Sequence, residues 1–134
     1  MTLEELAARC EAAMGADREL DARIRAALYA PEGATIERSP INGAWCVYSG
    51  TDRSGRPRLF YPSGHVSNEH WSGAYTTSID AALTLVPKGA EWTIQNNKPK
   101  PMAIVTGTDR YVCATTPALA LCAAALRARQ ETDR

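Results

Sequence analysis

The chain has 134 residues, 45% of them hydrophobic and 22% charged, which suits one domain built on one core. Its 15 basic and 15 acidic residues cancel, so no overall field draws it toward nucleic acid or a lipid surface. The apolar runs are too short, and too often broken by charge, to span a membrane.

The opening segment MTLEELAARCEAAMG reads as an amphipathic helix rather than a signal peptide, and the expected location is therefore the cytoplasm. Thr2 and Glu5 have the spacing of a capping box. Leu3, Leu6, Ala7, Cys10 and Met14 follow at helical intervals, and Gly15 supplies a left-handed stop. Asp17 caps a second helix that turns Leu20, Ile24, Ala27 and Leu28 inward and ends at Pro31 and Gly33.

After an irregular stretch, residues 44–49 (AWCVYS) and 56–61 (RPRLFY) read as strands joined by a hairpin loop over residues 50–55 (GTDRSG). Pro57 cannot donate to a ladder, so the second strand starts there or runs along an edge. Residues 62–73 form a long polar loop, of the length that functional loops have. Thr77 or Ser78 caps a third helix through Ile79, Ala82, Leu83 and Val86, closed by Pro87 and Gly89.

Residues 91–95 (EWTIQ) alternate, with Trp92 and Ile94 inward. Residues 102–106 and 111–114 pair across Gly107, Thr108 and Asp109. Pro117 takes the first position of a last helix that buries Leu119, Cys122, Ala123 and Leu126, with Arg127 and Arg129 at its negative end. The expected order is α-α-β-β-α-β-β-β-α: an α+β fold with a mostly antiparallel sheet, residues 1–134 forming a single domain. Cys10 and Cys122 fall in helical stripes, and Cys46 and Cys113 in strand-like runs. All four are expected as buried, reduced thiols. No cysteine pair has zinc spacing, and no cofactor or metal site is expected.

The phrases YTTSIDAALTLVP and ATTPALALCAAALRAR, with EWTI after the first, resemble the phage ABA sandwich domain family, and the helix pair MGADRELDARIRAAL is similar to that family's N-terminal part. The similarity covers most of the chain outside residues 36–73. It implies a layered α/β/α sandwich and an accessory protein of a bacteriophage or prophage acting in the host cytoplasm. It implies no catalytic residue.

Arg53, Arg56 and Arg58 crowd the first hairpin beside Tyr48, Phe60 and Tyr61, and guanidinium forks grip phosphate while aromatic faces stack bases. The bland alternative is a solvated hairpin tip. His65 and His70 bracket Asn68 and Glu69 beside Trp71, a loop set that suits ligand contact better than metal binding or acid–base chemistry, because no fixed geometry and no nucleophile accompany it. The expected ligand site is Arg53, Arg56, Arg58, Tyr61, His65, Asn68, His70 and Trp71. The expected function is non-enzymatic: counteracting host antiviral defence by sequestering a phosphate-bearing small molecule such as a signalling nucleotide. A protein-interaction module that blocks a host defence complex comes second, and a nucleotide-degrading enzyme using His65 or His70 third. The alanine-rich last helix carries few charges before Arg127, which leaves apolar surface for a homo-oligomer.

Overall fold

The computed structural model describes residues 1–60, 74–96 and 99–132. Among the described residues it is an α+β fold with four helices and two three-stranded antiparallel sheets. The helices are α1 (Leu3–Ala12), α2 (Arg18–Tyr29), α3 (Ile79–Leu83) and α4 (Pro117–Thr132). One sheet has the order β1 (Thr35–Arg38), β2 (Trp45–Thr51), β3 (Pro57–Leu59); the other has β4 (Trp92–Gln95), β5 (Met102–Val105), β6 (Val112–Cys113).

The helix starts are set locally. The amide of Glu5 donates to Thr2 Oγ1 at 3.1 Å, that of Leu20 to Asp17 Oδ1 at 3.0 Å, and that of Ala81 to Ser78 Oγ at 3.2 Å. Thr116 plays the same part for Leu119 at 3.2 Å, directly before Pro117. Helix ends follow less simple rules. α1 does not stop at a left-handed Gly15; it leaves through Ala13 in an extended conformation, and Met14 swings out to 88% exposure instead of joining the apolar stripe. Ala27 is likewise exposed, one position beyond the buried face of α2. α3 ends early, at Leu83, and the turn after it buries Leu85 while Ile79 is left 39% exposed.

The core is organised around α4. Residues 118–126 and Ala128 are all buried, because α1, α3 and the β4–β5–β6 sheet cover the helix on its several sides. Alanine makes this possible, since its small side chain lets neighbouring backbones approach closely. The apolar helix surface expected to drive homo-oligomerisation is thus consumed within the chain. Two polar ties join α4 and its lead-in to α1 and the residue after it. Arg127 reaches Glu11 on α1 at 2.6 Å, and Thr115 Oγ1 donates to the carbonyl of Ala13 at 2.9 Å.

The irregular stretch expected after α2 contains a strand. β1 pairs with β2 in the register Thr35–Tyr48, Ile36–Val47, Glu37–Cys46 and Arg38–Trp45, and α2 packs on this sheet. Thr35 and Ile36 are strand formers, but Glu37 and Arg38 are not and four residues are a weak signal, so the partner strand defines it. The second strand begins at Pro57, as its missing donor requires, and ends at Leu59 on the sheet edge. In the other sheet Ile94 packs toward the core, but Trp92 is 44% exposed rather than inward. Of the thiols, Cys10 and Cys122 are buried, Cys46 is half-buried and Cys113 is exposed, so burial holds for the two helical cysteines only. None of the four is paired in a disulfide. No helix among the described residues is long and apolar enough to cross a membrane.

Candidate functional site

The β2–β3 hairpin is built on Asp52. Its Oδ1 accepts from the Ser54 amide at 2.8 Å, the Ser54 hydroxyl at 2.6 Å and the Arg56 amide at 3.0 Å. The Ser54 hydroxyl, then the Arg56 amide, hold the Asp52 carboxyl below the usual carboxylate range. Gly55 closes the turn at a φ of 83°, which an L side chain adopts only with strain. Arg53, Arg56 and Arg58 therefore stand together on one tip, and all three are exposed. The remaining residues expected at the site (Tyr61, His65, Asn68, His70 and Trp71) lie outside the described residues, as does Glu69.

A different part of the fold gathers arginines into a concave surface. A cleft of about 790 Å³ lies between the α1–α2 connection, one face of α2 and the β1–β2 hairpin. Arg18, Asp21 and Arg25 reach it from α2, at positions i, i+3 and i+7, which share a helix face. Arg38 and Trp45 reach it from the opposite wall. They are directly opposed in the β1–β2 ladder, and the Arg38 guanidinium sits 5.2 Å from the Trp45 ring centre. The connecting turn keeps this pair in register: the Ser39 amide donates to Ala44 O at 2.7 Å, and the Ala44 amide to Asn42 Oδ1 at 3.0 Å. Trp45 is half-buried here at the cleft wall.

The acidic groups of the lining already have partners. Asp17 caps α2 and lies 3.9 Å from Arg9; Glu19 pairs with Arg23 at 2.8 Å and with Arg9 at 3.8 Å. Asp21, 3% exposed, accepts from the Thr76 amide at 2.8 Å and meets Arg18 at 3.2 Å. In the lining, Arg18, Arg25 and Arg38 stand against Asp17, Glu19 and Asp21, three positive groups to three negative, and Arg9 and Arg23 pair with Asp17 and Glu19 from outside it. The cleft places three guanidinium groups on one concave surface whose carboxylates are already engaged. Burial lowers the Arg25 guanidinium from its ordinary value and raises the Asp21 carboxyl above its own. Both shifts reflect charge held away from bulk water, where an opposite charge is felt most strongly.

A second recess of about 580 Å³, lined by Glu4, Asp109, Arg110, Arg127 and Glu131 among others, mixes its charges, and its Arg127 is taken by Glu11. Among the described residues no group of three or more His, Cys, Asp or Glu side chains gathers to hold a metal ion. The arginine–tryptophan cleft is not legible in the sequence, because its residues come from the α1–α2 connection, α2 and the β1–β2 hairpin, which meet only in the fold. In RELDARIR the apolar stripe is the stronger pattern, and the arginines seven apart share one face with Asp21. No family model, curated protein or solved structure matches this chain.

Proposed function

We propose that the chain is a non-catalytic receptor for a phosphate-bearing small molecule, with a nucleotide as the first candidate, held in the cleft between α2 and the β1–β2 hairpin. The observation that carries this is the convergence of Arg18, Arg25 and Arg38 with Trp45 on one concave surface. Guanidinium groups make paired, charge-assisted hydrogen bonds to phosphate oxygens, and an indole face is the strongest stacking surface for a base. The resemblance to phage sandwich proteins supplies a biological setting: capture of a signalling nucleotide that a host uses in antiviral defence. The arginines of the β2–β3 tip, 53, 56 and 58, form a second cationic surface at the other end of β2.

Calorimetric titration with mono- and dinucleotides tests the assignment. Arg25→Ala and Trp45→Ala are each expected to lower affinity about thirtyfold, on the order of 2 kcal/mol. The nucleotide is expected back chemically intact after denaturation. Turnover of the nucleotide would make the protein an enzyme, and no binding by the wild-type chain would end the proposal.

A protein-interaction role is the second reading, favoured by β3, an edge strand with all three residues exposed beside the arginine tip. Binding of a host protein that survives Arg25→Ala but is lost in Arg56→Ala would select it.

A further inference from the structure

Arg18 and Asp21 form an unequal pair. Their atoms are 3.2 Å apart, yet the Arg18 side chain is 58% exposed and that of Asp21 only 4%. The carboxylate is fixed from behind, because its other oxygen accepts the Thr76 amide at 2.8 Å. The guanidinium is an arm on the solvent side, free to turn within the cleft that both residues line. An anion entering that cleft competes with Asp21 for Arg18, and it also meets a buried negative charge.

We propose that Asp21 gates the cleft, so that an anion and a proton on Asp21 bind together while Arg18 turns from the carboxylate to the anion. This rests on the cleft being the anion site argued above. No covalent bond changes; the proton comes from solvent and sits on Asp21 Oδ2, the oxygen that Arg18 vacates. The charged and titratable groups around Asp21 are Arg18, Arg25 and the cap residue Asp17 from α2, Tyr75 from the segment before α3, and Cys122 from α4. Arg38, on the sheet side, shares the cleft lining. Only Arg18 among them makes a direct ion pair with Asp21 among the described residues. Burial, which already raises the Asp21 carboxyl despite Thr76 and Arg18, makes proton uptake less costly there than at an exposed carboxylate.

The test is calorimetric titration of the full chain with inorganic sulfate, whose charge does not change over the range used. Affinity is expected to rise as the pH is lowered from about 7.5 to about 5, by no more than about tenfold per unit for one coupled proton. Asp21→Asn is expected to bind sulfate more tightly than the wild type at neutral pH, with a shallower profile. Titrations of the wild type in two buffers of different ionisation enthalpy count the protons taken up, so the outcome does not depend on the variant folding. Affinity that is flat or falls on acidification, or binding without proton uptake, overturns the gate and leaves the anion site standing. No sulfate binding at any pH, by the wild type or by Asp21→Asn, removes both.

Discussion

The Thr76 amide donates to the Asp21 carboxylate at 2.8 Å across 55 positions of chain, and this bond joins α2 to the segment that leads into α3. The Thr76 hydroxyl strengthens the joint, accepting from the Asp17 amide at 2.9 Å and donating to the Asp17 carbonyl at 3.2 Å. Both Asp21 and Thr76 are buried, so an acceptor lost here is not replaced by water. Asp21→Ala is expected to destabilise the fold by about 1–3 kcal/mol, whereas Asp21→Asn, which keeps an acceptor oxygen, is expected to cost less. Urea unfolding of the two variants measures the difference, and equal losses would show that the Thr76 bond is not what matters.

The same carboxylate makes a pH prediction. A carboxyl raised by burial holds its proton in the folded state at pH values where the unfolded chain has lost it. The folded state then binds more protons, so the contribution of Asp21 to stability falls as the pH rises from the ordinary carboxylate value through the raised one. Above that window the contribution is constant at its lower level. The unfolding free energy of the wild type minus that of Asp21→Asn is therefore expected to decrease with rising pH, which cancels the opposite effect of carboxylates such as Asp52. A difference that grows with pH would reverse the assignment.

Leu126 is wholly buried at the centre of the α4 packing. Leu126→Ala removes buried methyl groups and leaves a cavity, with an expected cost of about 2–5 kcal/mol. Leu126→Asp places an uncompensated carboxylate there and is expected to abolish folding, because that cost rivals the whole stability of a small domain. Circular dichroism and thermal melts check both. A wild-type melting temperature in either variant would mean that α4 is not the core helix.

Thiol chemistry reports burial residue by residue. Cys113 is expected to react with a thiol reagent at once, Cys46 more slowly, and Cys10 and Cys122 only after unfolding. Cys122 is the most protected, since its thiol donates to the Tyr75 carbonyl at 3.0 Å and Cys10 and burial raise it well above the ordinary thiol value. Mass spectrometry of labelled peptides gives the order. Early labelling of Cys122 would contradict the packing of α4 against α1.

What the sequence determines by itself is what is decided within about one helical turn. Thr2 and Asp17 are legible as caps, and Ser78 as one of two candidates beside Thr77, because a side chain and an amide three residues later are the whole interaction. The strand start at Pro57 and the burial of Leu119, Cys122, Ala123 and Leu126 follow equally from a missing donor and from period. Tertiary structure decides the rest. β1 exists because TIER finds β2 across a turn, and α4 is covered on all its sides because two sheetless neighbours and one sheet converge on small alanine side chains. The cleft is the clearest case. Arg25 and Arg38 are ordinary surface arginines in the sequence, and they share a wall-lined space with Trp45 and a buried Asp21 only once α2 has packed on the first sheet. Charge becomes a site through desolvation and convergence, and neither is a property of neighbouring letters.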